Sequence, residues 1–206
     1  MRAFFTTVVC RIRTPRLFLR AYREGDAEAL FNAMQSSYEH LNRWMDWVRT
    51  GPKSVDEQRL KLRELRRSTL AGTGAAYAMF LNDETTLIGS IGLHPRIGAG
   101  ALEVGYWIAN DHARHGYTSE AAAALTKIGF ETHNVRRMEI HTSPQNVASF
   151  GVARKIGYQH HTIVRQCVLS DVSPVRDDTI WAMNREQYAQ SPAAAITIEF
   201  ERRKPR

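Results

Sequence analysis

The chain has 206 residues, of which 43% are hydrophobic and 24% charged, a length and balance that suit one globular domain with a single buried core. Its net charge of +7 and pI near 9.7 point to an anionic partner, either a polyanion such as RNA or a phosphorylated small molecule. No apolar run approaches a membrane span, Met1 to Cys10 is too short and too broken by threonine for a signal segment, and Cys10 and Cys167 form no metal or redox motif, so a reduced, cytoplasmic protein is expected.

Arg11 to Arg20 reads as a strand, with Leu17 and Leu19 on one face. Gly25-Asp26 then starts a helix through Ala27 to Met34. Gln35 to Pro52 is irregular and tryptophan-rich, and Trp44, Met45 and Trp47 form an amphipathic cluster within it. Ser54 with Glu57 is a capping-box pattern, and Leu62, Leu65 and Leu70 carry a helix to about Leu70. Ala71-Gly72-Thr73-Gly74 ends it. Ala75 to Leu81 and Thr86 to Leu93 read as strands around the Asn82-Asp83-Glu84 turn.

After a turn at Gly98-Ala99-Gly100, Leu102 to Ile108 alternates as a strand, with Glu103, Gly105 and Trp107 on one face and Val104, Tyr106 and Ile108 on the other. Arg114-His115-Gly116-Tyr117-Thr118-Ser119-Glu120 then opens an alanine-rich helix over Thr118 to Thr132. A glycine-bearing basic loop at a helix start is an anion site, because the free N–H groups of the first turn and the helix dipole both favour a phosphate. Arg137 to Thr142 reads as a strand, Asn146 to Lys155 as a helix and Tyr158 to Val168 as a strand. Thr179 to Met183 is the last expected strand, followed by a short helix over Arg185 to Gln190. In the tail from Ser191 to Arg206, Ile196, Ile198 and Phe200 alternate, which fits a strand or arm, and a disordered tail fits as well. Strands alternating with helices imply an α/β fold with a mixed sheet.

Four patches in this order resemble the GCN5-related N-acetyltransferase (GNAT) superfamily, and within it the RimJ/RimL type of ribosomal-protein N-terminal acetyltransferases. They are Thr14 to Arg20, Leu41 to Trp47, Glu103 to Trp107 with Arg114 to Ala121, and Asn146 to Ser149 with Lys155 to Tyr158. The resemblance covers roughly Thr14 to Tyr188. It implies a single domain over 14–190, with an N-terminal extension at 1–13 and a C-terminal tail at 191–206. The implied sheet has about six to seven strands, flanked by helices and splayed between the family's fourth and fifth strands.

The implied reaction is attack of a neutral amine on the thioester of acetyl-CoA, which serves as co-substrate. Backbone N–H groups of Arg114, His115, Gly116, Tyr117, Thr118 and Ser119 would hold the CoA phosphates, with Asn146 near the pantetheine or phosphates. A backbone N–H near Trp107 or Ile108 would meet the carbonyl, and Gly105 would mark a local distortion of the strand. Glu103, partly buried with a raised pKa, is the general-base candidate, and His141 is second. Many GNAT enzymes protonate the thiolate with a tyrosine four positions before the Gly-aromatic pair. That position is Ala153 here, and Ser149 is the available replacement. Ala113 and Thr118 also depart from the family's loop pattern. Trp44, Met45 and Trp47 would wall the amine pocket.

His133, His160 and His161 lack metal-ligand spacing, and no metal is expected. The acceptor is a protein N-terminus or a small-molecule amine, chosen by the loops Ser36 to Lys53 and Gln166 to Asp178. Succinyl-CoA is an alternative donor. A membrane partner is not expected, nucleic acid is disfavoured by the lack of any RNA-binding signature, and a homodimer is left open. A catalytically silent CoA-binding module is the competing reading.

Overall fold

The computed structural model describes residues 4–167 and 176–205. Its elements run β1 (Val8–Arg13), β2 (Leu17–Ala21), α1 (Ala27–Ser36), α2 (Tyr38–Asn42), α3 (Trp47–Thr50), α4 (Val55–Leu70), β3 (Ala75–Leu81), β4 (Leu87–His94), β5 (Ala101–Ile108), α5 (Tyr117–Lys127), β6 (Arg137–Thr142), α6 (Val147–Lys155), β7 (Gln159–Cys167), β8 (Arg176–Asn184), α7 (Arg185–Ala189) and β9 (Glu199–Arg203). The fold is a single α/β domain built on one open mixed sheet in the order β7-β8-β6-β5-β4-β3-β2-β1-β9. Every neighbouring pair is antiparallel except β5 with β6.

The sheet holds nine strands among the described residues rather than six to seven. One extra strand arises because Arg11–Arg20 is a hairpin and not a single strand. Pro15 lacks the N–H that a ladder needs, so the chain turns there, and Thr14 donates its N–H to the Leu17 carbonyl at 3.0 Å. The stretch expected as an N-terminal extension therefore contributes β1. The tail supplies the other strand: β9 pairs with β1, with Ile12 opposite Phe200. Ile196 and Ile198 pack against the core on the way.

The tryptophan-rich segment 35–52 is helical in part, forming α2 and α3. Ser54 caps α4 as its sequence implies, accepting from the Glu57 N–H at 3.2 Å. The loop Gln166 to Asp178 falls mostly outside the described residues, at 168–175.

Two apolar layers clamp the sheet. On one face Leu19, Tyr77, Met79, Ile91 and Leu102 pack with the buried alanines and Leu125 of α5 and with Ala153 of α6. On the other, Phe18, Phe80 and Trp107 pack with Leu30 and Met34 of α1 and Leu62 of α4. Each large side chain so buried is worth about 1.5–3 kcal/mol. A buried bidentate pair, Arg20 to Asp26 at 2.7 and 2.6 Å, fixes the entry to α1. No helix is long and apolar enough to cross a membrane among the described residues.

Candidate active site

The site begins where β5 and β6 part. Their ladder has three pairs, Ala101 with Arg137, Leu102 with Met138, and Glu103 with Glu139. Beyond Glu103, β5 continues along β4 as far as Ile108, and β6 continues along β8 as far as Thr142. The two strands thus splay, and main-chain groups of Val104 to Ile108 lose their ladder partners on the β6 side. Trp107 and Ile108 lie on this unpaired stretch. The Ala109 N–H bonds to the Ile88 carbonyl at 2.8 Å, so in the alternating ladder Trp107 turns its main chain to Ser90 of β4 and its side chain to the second apolar layer, while Val104, Tyr106 and Ile108 turn their main chain to the gap.

Gly105 sits just past the fork. The β4–β5 register runs through it without a shift, so β5 departs from β6 here without a bulge toward β4. What it provides is room: a Cβ there would lie 2.9 Å from His94 Nε2.

On the face of the first apolar layer, the loop before α5 takes an unusual path. Arg114 has φ +66° and Gly116 φ +81°, both left-handed. Gly116 is the N-cap of α5 and no side chain caps the helix. The N–H groups of Tyr117, Thr118 and Ser119 therefore have no intrahelical acceptor. Arg16 Nη2 and Lys155 Nζ each stand 3.4 Å from the Cβ position of Gly116. Glu120 organises the corner, accepting from Arg16 Nε at 2.6 Å, from the Arg16 N–H at 2.8 Å and from Thr14 Oγ1 at 2.6 Å. Arg16 also donates to the His115 carbonyl at 3.0 Å and lies over the Tyr117 ring. Sequence reading missed Arg16, Glu120 and Lys155 as members of this site. The first two are remote from each other in the chain and meet only through the hairpin turn.

Ser149 lies across the fork on the same face. Asn146 caps α6 by accepting from the Ser149 N–H at 3.2 Å, so its local role is structural. The Ser149 hydroxyl is buried and shares a 2.8 Å hydrogen bond with the Tyr106 hydroxyl. Ser149 and Ala153 are one turn apart on α6 and share one face of that helix. Burial pushes the Tyr106 phenol well above its ordinary pKa, partly opposed by its bond to Ser149, and keeps it protonated.

The opposite face of the fork is charged. Glu103 is 4% exposed and is gripped by Arg96, whose Nε and Nη2 donate to its two oxygens at 2.7 and 2.6 Å. Burial pushes the Glu103 carboxyl up, but the Arg96 bonds and charge, with His141 and His94 behind them, outweigh it and hold the pKa below the ordinary carboxylate range. This reverses the raised pKa expected from sequence, because Arg96 was not foreseen as a partner. Next to it, Glu139 binds Arg137 at 2.6 Å and His141 Nε2 at 2.5 Å. His141 Nδ1 faces Asp178 at 3.7 Å. Burial opposes the charged imidazole of His141, yet the Glu139 bond and the charges of Glu103, Glu139 and Asp178 raise its pKa overall. Glu103 and Ser149 therefore stand on opposite sides of the sheet at one fork.

The segment expected to wall the amine pocket lies on the same side of the sheet as Trp107 and Glu103. Met45 packs on the second apolar layer, Trp44 is half-buried and Trp47 is 43% exposed. The Ser37 hydroxyl at the start of α2 accepts from the Asn110 N–H at 3.0 Å, tying this segment to the end of β5.

The family profile described as "Acetyltransferase (GNAT) domain" matches residues 16–159. The uncharacterized N-acetyltransferase YnaD of Bacillus subtilis (strain 168) is 25% identical over 157 residues, 76% of this chain and 87% of that protein. Mycobacterium smegmatis RimJ, solved with CoA-disulfide, superposes with a TM-score of 0.77 at 23% identity, covering 94% of this chain and 95% of that one. RimL, a ribosomal L7/L12 α-N-protein acetyltransferase solved with coenzyme A, gives 0.72 at 22% identity, covering 83% and 95%. These two structures share the fold.

Proposed function

The chain belongs to the GNAT acetyltransferase family and is an N-acetyltransferase, and from that premise we propose that it moves an acetyl group from acetyl-CoA to a primary amine by direct attack at the fork between β5 and β6. The acceptor amine is presented by a protein N-terminus or by a small molecule. The observation that carries this reading is the fork itself, with a phosphate-ready helix start and a hydroxyl pair on one side and a carboxylate-rich face on the other.

The residues present fit the co-substrate. An uncapped helix start flanked by Arg16 and Lys155 suits a pyrophosphate, since charge-assisted N–H bonds are stronger and shorter than neutral ones. Arg114, His115 and the backbone from Gly116 to Ser119 complete that cradle, and Asn146 lies at the start of α6 across the fork. When bound, acetyl-CoA supplies an activated acetyl group and a thiolate leaving group. The N–H groups of Val104, Tyr106 and Ile108, turned to the gap, would polarise the carbonyl. Ser149, backed by the Tyr106 phenol, would deliver a proton to the departing sulfur, so a phenol from β5 acts where Ala153 on α6 cannot. On the acceptor face, Glu103 contributes negative charge that favours a cationic nitrogen as it forms. Trp44, Met45 and Trp47 line the approach.

The test is thiol release from acetyl-CoA in the presence of peptides with free or blocked α-amines and of small amines. The reading expects amine-dependent release and an acetylated acceptor by mass. Tight acetyl-CoA binding without acetylation of any amine would leave a silent CoA-binding module instead.

A further inference from the structure

Four proton-accepting groups of β4, β5 and β6 line the acceptor face at the fork: Glu103, Glu139, His141 and His94. Three are already engaged, Glu139 by Arg137 and His141. Both oxygens of Glu103 accept from Arg96. His141 has Nε2 on Glu139 and Nδ1 facing Asp178, an arrangement that favours the protonated ring. His94 differs. Its side chain makes no hydrogen bond or ion pair among the described residues, is half-buried, and lies with Nε2 toward Gly105, two residues past the last β5–β6 pair. Its register partner is Glu103. The missing Cβ of Gly105 is what admits the ring to the edge of the fork, and a Cβ at Gly92 would also meet Nε2 at 3.4 Å.

We propose that His94 is the residue that accepts the amine proton, with Glu103 and Arg96 setting its surroundings. The assignment rests on the acetyl-transfer reading above. The neutral amine forms the N–C bond with its lone pair, and the C–S pair leaves with sulfur. The nitrogen, now cationic, passes its proton to His94, while Ser149 gives one to the thiolate. His94 then returns its proton to water, which its partial exposure allows, and the Ser149–Tyr106 pair is reprotonated from solvent. The products are an amide and a free thiol.

Electrostatics agrees with the geometry. Burial, and then the nearby Arg96 charge, push the His94 pKa below the ordinary imidazole value, with Glu103 opposing. The ring is thus neutral at physiological pH and ready to accept a proton. Activity should fall as pH drops through this lowered pKa, giving an acidic limb below about 6.5, the ordinary histidine value.

Three variants decide the matter: His94→Gln, His94→Ala and Gly105→Ala. Removing a positioned base lowers turnover about 10²–10⁴-fold, so both His94 variants should lose kcat on that scale, lose the acidic limb, and keep acetyl-CoA affinity by calorimetry. Added imidazole should restore His94→Ala in a saturable way, which a purely structural histidine would not show. Gly105→Ala should displace the ring and lower kcat in wild type, but have little further effect in the His94→Ala background. Wild-type kcat and pH profile in a folded His94→Gln protein would overturn the assignment while leaving acetyl transfer intact. If only His94→Ala fails to fold, His94→Gln and Gly105→Ala still decide it. Wild-type protein that acetylates no amine would overturn the functional reading, and His94 as base with it.

Discussion

Tyr106 and Ser149 share a hydrogen bond of 2.8 Å that spans the gap between β5 and α6. It joins the two elements that flank the fork, and it couples a buried phenol to the serine at the third position of α6. Ser149→Ala should slow turnover about ten- to a hundredfold, near the low end for acid catalysis, with acetyl-CoA affinity unchanged. It should also lower stability, because the buried Tyr106 hydroxyl loses its partner at about 1–3 kcal/mol. Tyr106→Phe should reduce kcat comparably, and the double variant should be no slower than the slower single one. Full additivity in kinetics, measured alongside thermal melts, would separate the two hydroxyls.

Arg16 and Lys155 flank the start of α5 from outside the loop. Arg16→Ala and Lys155→Ala should each weaken acetyl-CoA binding about three- to tenfold, and the loss should shrink as salt rises. Gly116→Ala forces a side chain into a left-handed conformation at a cost of about 1–2 kcal/mol and should weaken binding further. Titration calorimetry at two ionic strengths checks all three. Unchanged affinities would move the pyrophosphate elsewhere.

Trp47 is 43% exposed at the start of α3, in the segment proposed to line the approach of the amine. Trp47→Ala should raise KM for the amine severalfold while melting temperature and acetyl-CoA affinity stay put. A change in stability without a change in KM would make it a lid residue only.

Arg96→Met leaves Glu103 buried without its two closest donors. We expect a loss of about 1–3 kcal/mol, at the scale of an unsatisfied buried group, since the Arg96 side chain is itself 61% exposed. Folded Glu103 holds its proton less tightly than the unfolded chain does. Its contribution is therefore complete above the unfolded carboxylate pKa, about 4.3, and is lost as pH falls through the lower folded value. Melting curves across pH should show the gap between wild type and Arg96→Met closing in acid. A gap independent of pH would remove the ion pair as its cause.

The parts of this site that lie within one stretch of chain were legible from sequence. The Arg114–Ser119 loop, the alternation that puts Glu103 and Tyr106 on opposite faces, and the Asn146 cap each follow from local pattern, and β6 has the bounds that pattern implied. Pairings between distant stretches were not. Arg96 is seven residues from Glu103, and a β-turn brings them together, so the sign of the Glu103 pKa shift escaped a reading that assumed burial alone. Tyr106 and Ser149 meet across 43 positions, and Arg16 meets Glu120 across 104. Nothing local marks His94, since the strand pattern ends at Leu93 and only pairing with Glu103 carries β4 one residue further. The ninth strand was half visible in the Ile196, Ile198, Phe200 alternation, but only pairing with β1 turns alternation into a strand.

Direct transfer at the fork can be tested without any variant. Initial velocities are measured across a grid of acetyl-CoA and amine concentrations, and the protein incubated with acetyl-CoA alone is weighed by intact mass spectrometry. Direct attack requires both substrates on the protein at once, so the reciprocal plots should intersect and the protein should gain no acetyl group. Parallel plots, together with an acetylated protein that passes its acetyl group to a later-added amine, would rule out direct transfer.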